Sequence, residues 1–336
     1  MQTTQNYNRS LHYFAVFTAI STFILIFAGG LVTSTGSGLS VPDWPLSFGQ
    51  VMPPMVGGVV YEHSHRLIAS FVGMLTVILA IWLWKKDNRK WLKILGFYSL
   101  GAVIVQGVLG GLTVLFLLPT PISVAHATLA QTFFCAVSSI ALFTSRWWLT
   151  STEIPSTEKN TSKIFWLPII TTGMIFLQLI FGALMRHTHS GLAVPDFPLA
   201  YGQLFPSLSE ESLAKYNLHL IAERVREVGD GHITPSQIVI HMLHRIWGFV
   251  VTIMIITTSI VLLKHSALSS RIKILAEILL GLIIIQFTLG ALTVLTEKSV
   301  IITTAHVAIG AVTLATSLLT VLHLVKLLKM NIVRKK

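Results

Sequence analysis

The segment "GLVTSTGSGLSVPDWPLSFGQ" at residues 30–50 returns 153 positions later as "ALMRHTHSGLAVPDFPLAYGQ" at residues 183–203. A second pair follows, because "QGVLGGLTVL" at 106–115 matches "QFTLGALTVL" at 286–295 with an offset of 180. The chain therefore contains two tandem copies of one unit. The second copy has gained about 27 residues, which we place in the loop around 205–235.

The composition is that of an integral membrane protein. Of 336 residues, 53% are hydrophobic and 11% are charged, and the mean hydropathy is +0.75. A span of the bilayer takes about 20 mostly apolar residues. Runs free of charged residues, divided by the turn signal Pro119-Thr120-Pro121, predict eight transmembrane helices. They are 13–33, 62–84, 94–116, 122–145, 164–186, 238–263, 274–296 and 300–324.

The repeat predicts how these helices are grouped. Each copy contains four spans, an even number, so both copies enter the membrane in the same orientation. We therefore expect an all-α fold of two four-helix bundles related by a pseudo-two-fold axis along the membrane normal. The expected domains are an N-terminal bundle at 1–150, a cytoplasmic linker at 151–163 and a C-terminal bundle at 164–336 with a long outer loop at 187–237.

The long outer loop carries apolar residues at helical spacing. These are Leu213, Leu220, Ile221, Val225 and Val228. The spacing predicts an amphipathic helix on the outer surface.

The net charge of +11 reflects topology rather than a nucleic-acid partner. Lysine and arginine cluster between spans two and three, four and five, six and seven, and in the C-terminal tail. The positive-inside rule then places both termini in the cytoplasm of a cell-membrane protein. Cys135 is the sole cysteine, so a disulfide within one chain is excluded.

Four of the thirteen histidines occupy equivalent places in the two copies. His65 pairs with His244 and His126 pairs with His306, and all four lie near the outer ends of even-numbered spans. Ionisable groups in spans usually face a bundle interior and serve a function. Zinc or di-iron sites would need more carboxylates or cysteines than either bundle offers. Two histidines from two helices instead favour axial ligation of a haem iron, one haem in each bundle.

The residues around the first histidine pair indicate different roles for the two bundles. Glu62 lies three residues before His65 and four before Arg66, so Glu62 and Arg66 can form an ion pair. The second copy has His241 in place of Glu62, which suggests that the first bundle performs the chemistry. His241 is also an alternative ligand to His244.

Further residues are expected at the rims of the two sites. Arg66 and Arg245 are candidate partners of haem propionates. The same pattern is also expected of arginines that extend to lipid headgroups, and this alternative stays open. Asp43, Trp44, Asp196 and Phe197 are candidate caps over the bundles, with an interfacial aromatic belt as the alternative. Small residues should allow close approach at Gly101, Gly107, Gly110, Gly111, Gly281 and Gly290.

Together these motifs resemble the haem A synthase family over residues 10–325. The resemblance rests on Glu62-x-x-His65-Arg66, "VAHATLAQ" around His126, "HRIWGF" from His244, "TAHVAIGA" around His306 and the two "GLxVPD(W/F)PL" loops. Many bacterial members carry a cysteine pair in the first outer loop. Residues 34–61 contain none, so the chain resembles the cysteine-free branch.

The resemblance implies an oxidoreductase that converts the C8 methyl group of haem O to the formyl group of haem A by two successive hydroxylations. It implies that His65 and His126 hold haem O as substrate, with Glu62 beside the reacting methyl. His244 and His306 would hold haem b as cofactor. Membrane lipid, an electron donor, a haem O synthase and a second copy of the chain are the further partners to be considered.

Two other functions fit parts of the pattern. A di-haem cytochrome b, as in quinol dehydrogenases, also uses paired histidines, but it stacks its haems across the membrane, whereas these four histidines share the outer depth. A transporter with parallel repeats would use histidines as a proton relay and would show interrupted helices. The spans carry no paired glycine or proline breaks at their midpoints.

Overall fold

The computed structural model describes residues 7–150, 161–222, 232–266 and 268–334, with side chains omitted for 161–163 and 328–334. Ten helices occur in these residues, and their β-pairing consists of isolated bridges in two loops. The helices are α1 Arg9–Ser34, α2 Gly58–Lys86, α3 Lys90–Leu115, α4 Thr120–Thr144, α5 Arg146–Thr150, α6 Thr161–His187, α7 Glu210–Ala222, α8 Pro235–Lys264, α9 Ser270–Leu295 and α10 Val300–Arg334.

Eight of the described helices are long and apolar enough to cross a membrane, and they coincide with the eight predicted spans. The exceptions are the short helix α5 and the outer-loop helix α7. The all-α, eight-span architecture is therefore confirmed. The predicted linker begins with residues 151–160, which lie outside the described residues, and α6 begins at Thr161.

Several helices begin earlier than predicted, and local capping explains two of them. The Asn8 side chain accepts a hydrogen bond from the Leu11 amide, so α1 begins at Arg9. Thr234 and Gln237 form a reciprocal capping box before α8. The helix α2 begins at Gly58, which places "EHSHR" a full turn inside it rather than at its start.

The eight long helices pack as two sets of four. In the first set, α1 and α3 each contact both α2 and α4. In the second set, α6 and α9 each contact both α8 and α10 in the same way. This packing is consistent with the predicted pair of bundles. In the first set α2 and α4 therefore lie diagonally opposite each other, and in the second set α8 and α10 do so.

The two sets meet through α1, α4, α6 and α10. Ala311 and Ala315 of α10 are buried in the core of the first set, beside Phe133 and Val137 of α4. A polar contact also crosses here, since Arg186 of α6 donates to the Ser34 hydroxyl at 2.9 Å. The two sets therefore share packed surface rather than lying apart.

The predicted outer-loop helix is confirmed for residues 210–222. Tyr216 and Leu220 of α7 are buried against Ala193 and Val194 of the outer loop, while Ile221 is exposed. Val225 and Val228 lie outside the described residues. The helix α7 thus covers the second outer loop of the protein.

Buried threonines connect the helices of the second set. The hydroxyls of Thr171 on α6 and Thr258 on α8 lie 2.7 Å apart, and both side chains are buried. Thr171 also donates to the Leu167 carbonyl within its own helix.

We expect Thr171→Val to lower stability by about 1 kcal/mol, because it leaves the Thr258 hydroxyl buried without its partner. The double variant Thr171→Val, Thr258→Val should recover part of that loss. Denaturant unfolding in detergent measures both. Strictly additive losses from the two substitutions would contradict an interaction between the hydroxyls.

Candidate functional site

The four paired histidines lie on the diagonal helices of the two bundles. His65 is on α2 and His126 on α4, while His244 is on α8 and His306 on α10. Each follows the first residue of its helix by six to nine residues, about 9–14 Å along the axis. The four helices begin on the same side, so the imidazoles share one depth, as predicted.

Each of these imidazoles packs against a glycine on a neighbouring helix. A Cβ atom on that glycine would lie only 3.0–3.2 Å from the imidazole Cε1. The four contacts are Gly29 with His65, Gly110 with His126, Gly182 with His244 and Gly290 with His306. We call these four residues the cradle glycines. They let each ring lie directly on a helix backbone, where any larger residue would displace it.

The sequence identified only half of this arrangement. Gly110 and Gly290 were predicted to allow close approach, whereas Gly29 and Gly182 were missed although they match each other at the repeat offset of 153. At Gly101, Gly107 and Gly281 an added Cβ would meet nothing from a neighbouring helix within 4 Å, so no helix backbone approaches there, and the close approach of a flat ring at these positions stays a prediction. Gly111 does allow close approach, to Trp44.

The interior of each site contains buried polar atoms without a hydrogen-bond partner in the described protein. They include Nδ1 of His65, His126 and His306. The Gln106 amide nitrogen lies 3.3 Å from the His126 ring and donates to the His126 carbonyl at 3.0 Å. Gln178 binds the His244 carbonyl in the same way, also at 3.0 Å.

The turn that contains His65 is tied to the first outer loop through its two charged neighbours. Glu62 is buried and accepts from the Arg66 guanidinium at 2.6 Å and from the Val41 amide at 2.8 Å. Arg66 also donates to the main-chain carbonyls of Val41, Asp43 and Leu46. The predicted ion pair is therefore present, and it fixes the loop over the end of α2.

The second copy builds the same connection from different groups. Arg245 donates to the carbonyls of Val194, Asp196 and Leu199, which match the three carbonyls bound in the first copy. Its Nε donates to Nε2 of His241 at 2.9 Å. The other nitrogen of His241 bonds the Ser190 carbonyl at 2.9 Å. Both ring nitrogens of His241 are thus engaged, which favours His244 as the ligand.

The outer loops share one backbone conformation. Asp43 accepts from the amides of Phe48 and Gly49 at 2.7 and 2.8 Å. Asp196 accepts from Tyr201 and Gly202 in the same positions, at 2.7 and 2.9 Å. In both loops these amides belong to consecutive residues with positive φ, a conformation typical of tight hairpin turns. The amides of Gly49 and Phe48 lower the pKa of the Asp43 carboxyl.

The predicted aromatic caps differ between the copies. Trp44 packs on Gly111 of α3, where a Cβ would lie 2.6 Å from the indole. Phe197 lies among Phe249 and Phe287, with the Arg245 guanidinium 5.7 Å from its ring centre. Each aromatic residue therefore closes the outer end of its own bundle. Trp44 remains 41% exposed, so it forms part of the surface as well.

His63, beside His65, points away from the paired imidazoles, as its position predicts. It is buried and its Nδ1 lies 2.8 Å from the Ser47 hydroxyl in the outer loop. The second copy has Met242 and Ala200 at the equivalent positions, so both members of this polar pair are replaced together.

A family model for cytochrome oxidase assembly proteins, COX15-CtaA, matches residues 12–57 and 58–318. The chain belongs to the COX15-CtaA family. The match includes all four paired histidines, both outer loops and all or most of every span.

Curated relatives agree with this family membership. The chain is 28% identical over 326 residues to a protein named haem A synthase from Halalkalibacterium halodurans, covering 92% of this chain and 95% of the relative. A haem A synthase from Alkalihalophilus pseudofirmus is 32% identical over 205 residues, 60% of this chain and 68% of the relative. A haem A synthase from Shouchella clausii is 31% identical over 225 residues, which cover 63% of this chain and 71% of the relative.

The side chains of this COX15-CtaA member fit a haem iron in each bundle. A ligating imidazole uses one ring nitrogen for the metal and directs the other to an acceptor. The buried, unpartnered ring nitrogens of His65, His126 and His306 are suited to this role, and each of the four imidazoles is seated against a cradle glycine. The described residues contain no cluster of three or more His, Cys, Asp or Glu side chains that would instead hold a zinc or di-iron centre.

We expect Gly290→Ala to reduce haem retention by the second bundle by about tenfold, because the added methyl displaces His306. Gly281→Ala, on the same helix with open space around it, is the matched control. Haem content and the visible spectrum after purification measure the effect. Wild-type haem content and spectrum in Gly290→Ala would show that the cradle does not position the ligand.

We expect Asp43→Asn to speed hydrogen exchange at the Phe48 and Gly49 amides several-fold, because a neutral amide accepts these bonds more weakly. The equivalent amides of Tyr201 and Gly202 are the internal control. In the unsubstituted protein, protection should hold from neutral pH down through the ordinary aspartate pKa of 3.8 and fail only below it, since the folded pKa is lowered. Loss of protection already at pH 5 would contradict this role.

Proposed function

We propose that this chain is a haem A synthase that oxidises the C8 methyl group of haem O to the formyl group of haem A. Two successive hydroxylations of that carbon give a geminal diol, which loses water. The observation that carries the proposal is the set of four imidazoles, paired on diagonal helices and each seated on a glycine. Relatives that bear this name align with nearly the whole chain.

The two bundles receive different haems in this proposal. His65 and His126 hold haem O as the substrate in the first bundle, and His244 and His306 hold a haem b in the second. When bound, the haem iron supplies the redox chemistry that an unreactive methyl group requires. The protein binds and orients the two rings, and its outer loops and aromatic caps keep water from their outer edges.

Glu62 is the reason for assigning the substrate to the first bundle. It is a buried carboxylate three residues from His65. At this position the second bundle has His241, whose ring accepts a hydrogen bond from Arg245 and bonds the Ser190 carbonyl. Each of its oxygens accepts one hydrogen bond, from Arg66 and from Val41. We propose that Glu62 takes up a proton during methyl oxidation by exchanging one of these bonds.

In this proposal the guanidinium groups of Arg66 and Arg245 contact haem propionates. The terminal nitrogens of Arg66 donate to Glu62 and to loop carbonyls, and those of Arg245 to loop carbonyls alone. A propionate would therefore replace a loop carbonyl, which would couple haem binding to the conformation of the outer loop. The charge distribution supports cytoplasmic termini and haem sites near the outer face of the cell membrane.

The main alternative is a di-haem electron carrier. The shared depth of the four histidines opposes it, since transmembrane electron transfer needs haems at different depths. A proton-coupled transporter is opposed by the eight spans, which are continuous in the described residues.

The test is to purify the protein after co-expression with a haem O source and to identify its extracted haems. We expect haem A or a hydroxylated intermediate together with haem b. Recovery of haem b alone, unchanged by His65→Ala or His126→Ala, would overturn the enzyme assignment in favour of the electron carrier.

The variant Glu62→His separates chemistry from loop anchoring, because His241 anchors Arg245 at the same position of the second copy. We expect it to retain both haems while haem A formation falls by at least about 100-fold, within the range that general acid–base groups contribute. Glu62→Gln, which keeps the size of the side chain, should behave likewise. Haem A formation at the wild-type rate in Glu62→His would limit Glu62 to a structural role.

A further inference from the structure

We propose that the two outer loops of this protein contact lipid: each folds back along its bundle to the outer boundary of the hydrocarbon core and presents apolar side chains to the bilayer. The segments concerned are residues 44–56 and 197–208, which we call the apolar loops. Neither contains Asp, Glu, Lys or Arg, and each directly follows one of the paired aspartates. This contact is independent of the haem that each bundle binds.

The depth of the apolar loops follows from the helices to which they are bonded. Arg66 of α2 and Arg245 of α8 each bind three carbonyls at the start of a loop. Each arginine lies 19 residues before a lysine at the basic end of its helix, Lys85 or Lys264. Such lysines mark the cytoplasmic headgroup layer. Nineteen helical residues measure about 28 Å, and the hydrocarbon core is about 30 Å thick. The bound carbonyls therefore lie at the outer boundary of the core.

Both helices continue well beyond this boundary. The helix α2 begins at Gly58, eight residues before Arg66, and α8 begins at Pro235, ten residues before Arg245. These outer turns extend about 12–15 Å past the arginines. The apolar loops thus return toward the bilayer along the helices instead of lying across their outer ends.

The loops lie on the sides of the bundles that face lipid. Trp44 packs on Gly111 of α3. The Phe197 ring centre lies 6.4 Å from that of Phe249 on α8 and 6.0 Å from that of Phe287 on α9, and both of these helix residues are exposed. The two bundles meet through α1, α4, α6 and α10. The faces formed by α2 and α3, and by α8 and α9, therefore point away from the neighbouring bundle.

The two loops expose apolar side chains at the same positions. Val51 and Leu204 are 73% and 75% exposed, and Met52 and Phe205 are 62% and 70% exposed. Two further exposed pairs also match at the repeat offset of 153, Leu46 with Leu199 and Met55 with Leu208. Large apolar side chains with this exposure cost free energy in water. Their recurrence at four matched positions indicates a common apolar environment.

Side chains satisfy the polar backbone groups of these loops, as is required where water is scarce. One arginine binds three carbonyls in each copy. Asp43 and Asp196 each accept from two consecutive amides. Five backbone groups in each loop are therefore paired without water, whereas a loop in water could leave them to solvent.

Lipid suits these surfaces better than a protein partner does. Four spans separate the two loops, so both lie on the same side of the membrane. Lipid surrounds the protein and meets both loops alike, whereas a partner protein would need two equivalent surfaces. The change from Met52 to Phe205 keeps the apolar character and alters the shape. Fluid acyl chains tolerate such a change, while a shape-specific interface does not.

The test uses the full-length protein in vesicles of phosphatidylcholine and phosphatidylglycerol, with a nitroxide spin label on one introduced cysteine. Cys135→Ser removes the sole native thiol. Labels at Met52→Cys and Phe205→Cys report on the two loops. Lys215→Cys on the exposed face of α7 is the water control, and Ile284→Cys on α9, which is 68% exposed, is the lipid control. Power saturation measures collisions with oxygen, which concentrates in lipid, and with a water-soluble nickel chelate.

We expect the oxygen-to-nickel collision ratio at positions 52 and 205 to exceed that at 215 several-fold and to approach that at 284. A ratio equal to that at 215 in either loop would overturn the proposal. Low collision rates with both reagents would also overturn it, because protein would then cover the loops, and dipolar broadening between labels would identify that cover as a second copy. A wild-type elution profile on gel filtration shows that each labelled variant is folded.

Discussion

The contact between an imidazole and a glycine backbone on the adjacent helix is the constraint on which this structure depends. It occurs four times, with a Cβ position 3.0–3.2 Å from the ring in each case. A polar ring inside an apolar bundle costs free energy unless its nitrogens find partners or a metal. Because the Cε1 edge of each ring contacts a glycine, its position is set by backbone rather than by mobile side chains, which is the kind of precision that a metal ligand requires.

The outer loops depend on a second recurring interaction, the binding of three loop carbonyls by one arginine. Arg66 and Arg245 reach equivalent carbonyls although the group between arginine and helix differs, Glu62 in one copy and His241 in the other. The geometry is thus preserved while the chemistry changes. A carboxylate beside one pair of histidines and an imidazole beside the other is the clearest difference between two otherwise similar bundles.

The internal repeat allows each copy to serve as a control for the other. Trp44 and Gly111 correspond in sequence to Phe197 and Ala291, and the His63–Ser47 pair corresponds to Met242 and Ala200. In each case both residues change together, and the replacement of His63 and Ser47 by Met242 and Ala200 leaves neither polar side chain without its partner.

The sequence by itself determined the eight spans, the tandem repeat, the paired histidines and the Glu62–Arg66 ion pair, because hydrophobic runs and fixed offsets are local properties of the chain. It could not distinguish the cradle glycines Gly29 and Gly182 from exposed Gly101, Gly107 and Gly281, since a glycine's role depends on what the neighbouring helix places opposite it. It also left the partners of the two arginines open. Only the tertiary structure decided that they bind loop carbonyls and that Gln106 and Gln178 bind the carbonyls of His126 and His244, because these contacts join helices and loops far apart in the chain.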